Sequence, residues 1–67
     1  MYRDETFIRN LIQTRKRKGI TIAELSVKTG LSPTILYEYE EGKHFPTVKN
    51  RKKLAHALDI KMEDFFK

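Results

Sequence analysis

Two helix-start signals stand close together in the segment TIAELSVKTGLSPTILYEYEEG, Thr21 to Gly42, and they constrain the fold more than any other feature. Thr21 followed by Glu24 has the spacing of a reciprocal capping box, in which the hydroxyl accepts the Glu24 amide and the carboxylate accepts the Thr21 amide. Ser32 followed by Pro33 is a second start, an N-cap hydroxyl before a residue whose missing N–H costs nothing at the first helical position. Between them Gly30 follows a helical run and reads as a left-handed terminator. The segment therefore predicts a short helix from Ile22 to about Thr29, a connection of Gly30, Leu31 and Ser32, and a second short helix that buries Ile35, Leu36 and Tyr39. Helices this short do not hold alone in water, so these two must be fixed by packing against each other and against a third. A tight turn between them leaves the outer face of the second one uncovered.

The same punctuation divides the rest of the chain. Before Gly19, Phe7, Ile8, Leu11 and Ile12 form an apolar stripe at helical spacing; that helix is expected to start near Asp4 and to end in Arg15, Lys16, Arg17 and Lys18, cations suited to a helix C-terminus. After Gly42 comes KHFPT, where Phe45 is apolar enough to be packed and Thr47 is placed to cap a further helix. Its expected inward residues are Val48, Leu54, Ala55 and Leu58, and its expected outer face is Lys49, Arg51, Lys52 and Lys53. The tail from Lys61 to Lys67 supports one more short helix, with Ile60, Met62, Phe65 and Phe66 as its apolar content. No two-residue alternation appears, so the expected fold is all-α: a compact bundle of about five short helices in one domain over residues 1–67, with the paired helices at about 22–41.

A chain of 67 residues buries only about 60% of the surface it exposes when unfolded, so the core must be economical. A formal net charge of +5 and a pI near 9.7 favour an anionic partner, nucleic acid or an anionic membrane. The basic runs lack the aromatic and aliphatic face that membrane insertion requires, and no apolar run has the length of a membrane span, so no membrane partner is expected and the chain is placed in the cytoplasm. The absence of cysteine removes disulfides, thiolate metal sites and cysteine nucleophiles together. His44 and His56 are far apart and part of no metal-binding or catalytic motif, and no glycine-rich phosphate loop is present. The expectation is therefore no enzyme, no cofactor, no metal and no small-molecule ligand.

From Arg15 to Phe65 the residues resemble the lambda-repressor/Cro-like helix-turn-helix family, the XRE-type regulators. The resemblance rests on Arg15 four residues before Gly19, on TIAELSVKTGLSPTILYEYEEG with its Glu-x-Gly ending, and on Pro46, Leu54, Ala55, Ala57 and Leu58 beyond it. It implies an ion pair inside the domain between Arg15 and Glu40. It also implies that the outer face of the second short helix reads bases, with Pro33, Thr34, Tyr37 and Glu38 as the residues presented. A glutamate there accepts from cytosine N4, a threonine bonds several bases or meets a thymine methyl, and a tyrosine packs on a methyl or bonds a phosphate. Expected phosphate contacts are the helix start at Thr21, Lys43 in the following loop, Thr47 at the next helix start, and Lys49.

Three departures from the family pattern stand out. Ile22 occupies a position where a phosphate-binding glutamine is common, and Arg51 and Lys52 stand where apolar residues are common. The third is Glu38, an acid on the expected reading face of a basic protein; of the other acids in the run, Glu40 matches the family's glutamate and Glu41 is expected at the helix edge, offset by Lys43. Eight of the fourteen basic residues fall in Arg15–Lys18 and Lys49–Lys53, so attraction to phosphate is expected from the rim of the site rather than from the reading helix.

The reading is a sequence-specific regulator of transcription that binds double-stranded DNA, repressing by occupying an operator. Family members of this size commonly act as homodimers, and Ile60, Met62, Phe65 and Phe66 are the expected dimer surface unless they close the monomer core instead. A second reading is a protein-interaction module on the same fold, antitoxin-like or adaptor, that uses the acidic helix to bind a basic partner.

Overall fold

A computed structural model describes residues 4–67. The chain forms α1 (Glu5–Arg17), α2 (Ile22–Thr29), α3 (Pro33–Glu41) and α4 (Val48–Leu58), followed by a 3-10 helix (Met62–Phe66), and the described residues contain no strand. The expected fifth helix is thus a tighter 3-10 turn.

Each α-helix starts where a short polar side chain captures an amide that would otherwise lack a partner. The Asp4 carboxylate accepts from the Phe7 amide at 3.0 Å, the Ser32 hydroxyl from Ile35 at 3.2 Å and the Thr47 hydroxyl from Asn50 at 3.2 Å. At Thr21 both halves of the capping box are present, Glu24 N–H to Thr21 Oγ1 at 3.1 Å and Thr21 N–H to Glu24 Oε1 at 3.0 Å.

The turn between α2 and α3 is locked from within. Gly30 adopts φ 75°, a conformation unfavourable for residues with a Cβ, and its amide donates to the Ser26 carbonyl at 2.8 Å. The Ser26 hydroxyl donates to the Leu31 carbonyl at 2.6 Å, while the Thr29 hydroxyl donates to Leu25 O at 2.7 Å and accepts the Leu31 amide at 3.2 Å. These four bonds satisfy the backbone groups freed where α2 stops, which fixes the direction in which α3 leaves.

Phe7, Leu11, Leu25, Leu36, Leu54, Leu58 and Phe65 form the centre of the core. Phe7 holds an aromatic cluster, with ring centroids 5.0 Å from Phe45, 5.1 Å from Phe65 and 6.0 Å from Phe66. Asn10 ties α1 to the tail by donating to the Phe65 carbonyl at 2.9 Å.

Several sequence expectations need correction. Val48 is on the same angular face of α4 as Ala55 but is 52% exposed, because the first turn of the helix extends past what the core covers. Ile35 lies about 70° around α3 from the centre of the Leu36–Tyr39 stripe, since each residue advances about 100°, and it is exposed at the edge. Arg51 is not on an outer face: its guanidinium carbon lies 4.8 Å from the Phe45 ring centroid and its Nη1 donates to the Pro46 carbonyl at 3.2 Å. It takes the place of an apolar residue by laying its planar cation over an aromatic ring. Phe65 is fully buried against Phe7, so it belongs to the monomer core and not to a dimer surface. Ile60 and Met62 are partly covered by the same core, and Phe66 remains 45% exposed.

Candidate nucleic-acid interface

The buried stripe of α3, Leu36 and Tyr39, faces the core, and the helix periodicity turns Pro33, Thr34, Tyr37 and Glu38 the other way. Pro33, Thr34 and Tyr37 are exposed and Glu38 is half-covered. The rear of α3 is anchored twice. Arg15 grips Glu40 with two parallel bonds, Nε to Oε2 at 2.6 Å and Nη2 to Oε1 at 3.1 Å, and spends a third donor on the Ile20 carbonyl at 3.1 Å. The hydrogen bonds that Arg15 donates to Glu40 push the guanidinium above its ordinary range against the opposing effect of burial. The second anchor is Asn50 of α4, which donates to the Tyr39 hydroxyl at 2.9 Å and so docks the start of α4 beside α3.

Each carboxylate of the acidic run of α3 has a basic side chain beside it. Glu40 meets Arg15, Glu41 lies 3.5 Å from Lys43, and Glu38 lies 3.8 Å from the His44 Nε2. The exposed pairs contribute at most about 1 kcal/mol each, but they offset negative charge at a helix C-terminus, where it is unfavourable.

The expected phosphate-contacting residues belong to the elements and loop that precede and follow α3. Thr21 starts α2, which packs on α3. Its capping box occupies the Thr21 and Glu24 amides, and Ile22 and Ala23 are the next helix-start donors. The Ile22 side chain is buried in the core, which explains an apolar residue at that position. Lys43 and Thr47 lie in the loop from α3 to α4, and Lys49 is exposed on the first turn of α4. Sequence reasoning missed Asn50 and His44. Asn50 had a usable signal, because it is four residues before Leu54 on the inward side of α4, where an amide requires a partner. Two of the expected rim cations are engaged elsewhere: Arg15 is taken by Glu40, and Lys18 reaches the Asp59 carbonyl at 3.4 Å, at the opposite end of α4 from Thr47.

The sequence model of the helix-turn-helix family matches residues 11–65, which takes in the whole capped pair and its supports. The chain belongs to the helix-turn-helix family of lambda-repressor/Cro type. Within that family it is 38% identical over 53 residues to the HTH-type transcriptional regulator SlrR of Bacillus subtilis, covering 78% of this chain and 35% of the relative. It is 35% identical over 54 residues to the cryptic phage CTXphi transcriptional repressor RstR of Vibrio cholerae, covering 81% of this chain and 48% of RstR. The chain thus spans less than half the length of each of these regulators. Among solved structures it is similar to the restriction-modification controller protein C.AhdI of Aeromonas hydrophila, with a TM-score of 0.87, 31% identity, and coverage of 91% of this chain and 92% of that one. The helix-turn-helix pair, its Arg15–Glu40 brace and its α4 support are therefore parts of a DNA-binding regulator fold. No helix among the described residues is long and apolar enough to cross a membrane.

Proposed function

We propose that this helix-turn-helix protein is a sequence-specific, DNA-binding regulator of transcription that represses by occupying its operator as a homodimer. The observation that carries this reading is the rigid presentation of α3: the Ser26–Leu31 bond in the turn, the Arg15–Glu40 fork and the Asn50–Tyr39 bond hold one face while Thr34 and Tyr37 stay in solvent with the half-covered Glu38 beside them. A major groove about 12 Å wide admits one helix, and a helix held at three points enters it without paying for ordering on binding.

In this reading Glu38 accepts from cytosine N4, Thr34 bonds a base edge or a thymine methyl, and Tyr37 packs beside them. Pro33 starts the helix close to the groove floor. Lys43, Thr47, Lys49 and the α2 start at Thr21 hold phosphates on either side. His44 supports the reader by standing against the Glu38 carboxylate. Affinity in this arrangement comes from the borders, because α3 itself has no cation. Two copies place their α3 helices about 34 Å apart on successive major grooves, joined through Phe66 with Ile60 and Met62.

The test is selection from a random duplex pool across about 50 to 200 mM salt. The expected product is a palindromic motif with two half-sites about one helical turn apart. Glu38→Gln is expected to change the preferred base at one position in each half-site, replacing cytosine by adenine. Lys43→Gln is expected to keep the motif while lowering the salt slope by about 0.9 per protomer. No enrichment at any salt concentration would overturn the reading.

A further inference from the structure

A recess of about 550 Å³ opens between α2 and α4, lined by Lys28, Lys52, Lys53, His56 and Ala57. Three lysines from two helices therefore border one hollow. Elsewhere Arg15, Lys43 and Lys67 each face a carboxylate, at 2.6, 3.5 and 3.1 Å, but none of the three recess lysines is in an ion pair among the described residues. The carboxylate that senses Lys28, Glu24 one turn earlier, is already bound to the Thr21 amide. Like charges gathered without counter-charge oppose the folded state, and a ligand bearing carboxylates relieves that repulsion.

The recess is not part of the reading face. Its lining comes from α2 and α4, and none of Thr34, Tyr37 and Glu38 takes part in it. Along α2, Lys28 is at the end opposite the Thr21 phosphate-contacting start, about 10 Å away at 1.5 Å per residue.

The chemistry of the lining selects the occupant. No arginine fork is among the lining residues, and its charges are flexible lysine point charges carried on two helices, which suits several spaced carboxylates better than one compact anion. Ala57 gives the recess an apolar wall. We infer that the α2–α4 recess is a docking site for an acidic segment of a partner polypeptide, its carboxylates interspersed with aliphatic side chains. The site is usable while α3 occupies a major groove.

The experiment uses a short fluorescein-labelled peptide rich in Asp and Glu with interspersed Leu, titrated by fluorescence anisotropy into the full chain. The variant Lys28→Gln/Lys52→Gln/Lys53→Gln is expected to bind it at least about tenfold more weakly. The charge-matched control Lys16→Gln/Arg17→Gln/Lys18→Gln is expected to stay within about twofold of the parent. Amide shifts on the unmodified protein, which involve no variant, are expected at Lys28, Lys52, Lys53, His56 and Ala57. Equal weakening in both variants, shifts centred on α3, displacement of the peptide by low concentrations of inorganic phosphate, or no binding at millimolar peptide would each overturn the proposal. So would a loss of about three phosphate contacts from the DNA salt slope in the recess variant, which would make the recess part of the DNA site.

Discussion

Arg15 and Glu40 are the pair on which the placement of the reading helix depends. Their side chains keep only 14% and 11% of their exposure, and the fork joins the end of α1 to the last turn of α3. Desolvating two charges offsets much of their attraction, so the pair gives position more than net stability. Removing one partner is different, because the remaining charge stays in a site built to exclude water. Arg15→Ala or Glu40→Ala is expected to destabilise the domain by about 3 kcal/mol, the low end of the range for buried pairs, and Arg15→Met/Glu40→Leu to recover much of that loss. Chemical denaturation of the three variants checks this; a double variant less stable than either single one would show that the bonds themselves carry the stability. Glu38 and Thr34 differ in kind, since their side chains are outward and their replacement is expected to alter DNA preference with little change in stability.

At the scale of the element, α2 is the weakest part and the most dependent on its start. It has eight residues, too few to persist alone, and its capping box supplies two of the amide partners at its exposed end. Bonds from the Thr21 backbone and hydroxyl hold the Glu24 carboxylate below its ordinary range. A carboxylate with a depressed native pKa contributes stability that is present above its unfolded pKa and lost as pH falls through the native value. Asp64, bonded to the Lys61 amide and to Lys67, is lowered in the same direction. Thermal stability is therefore expected to fall on the acid side of the ordinary carboxylate range. Thr21→Ala is expected to cost about 1 kcal/mol at neutral pH and to shallow the acid limb, with Asp64 retaining the remainder. Melting curves of the parent and Thr21→Ala at descending pH measure both effects, and an unchanged acid limb would remove Glu24 from the account.

For the whole molecule, the radius of gyration of 10.5 Å compares with about 11 Å for a compact chain of this length, so the tail is part of the globule. The two neighbouring phenylalanines at its end have separate tasks. Phe65 closes the core against Phe7, while Phe66 keeps nearly half of its surface in solvent. Phe65→Ala is expected to cost about 3 to 5 kcal/mol, comparable with the whole stability of a small domain, and to leave the chain largely unfolded near its ordinary working temperature. Phe66→Ser is expected to remain folded and to weaken self-association, measured by sedimentation equilibrium. A folded Phe66→Ser protein with an unchanged dimer constant would place the dimer contact elsewhere.

The caps at Thr21, Ser32 and Thr47 and the terminator at Gly30 were legible in the sequence because each acts within about four residues, a range over which spacing alone sets geometry. Periodicity also identified Leu36, Tyr39, Leu54 and Leu58 as inward, since a helix carries its face in its own sequence. Periodicity does not say how far a neighbouring element extends, and that is why Val48 and Ile35 emerge exposed. It equally cannot tell which distant groups meet: Asn10 with the Phe65 carbonyl, Asn50 with Tyr39, Arg51 with the Phe45 ring. Those contacts depend on the crossing of helices, which local chemistry does not encode. The same crossing decided that Phe65 is core and Phe66 surface, and that lysines from α2 and α4 face one another across a recess. The helices and their ends were thus determined by the sequence alone, whereas which surfaces remain free to bind was decided by packing.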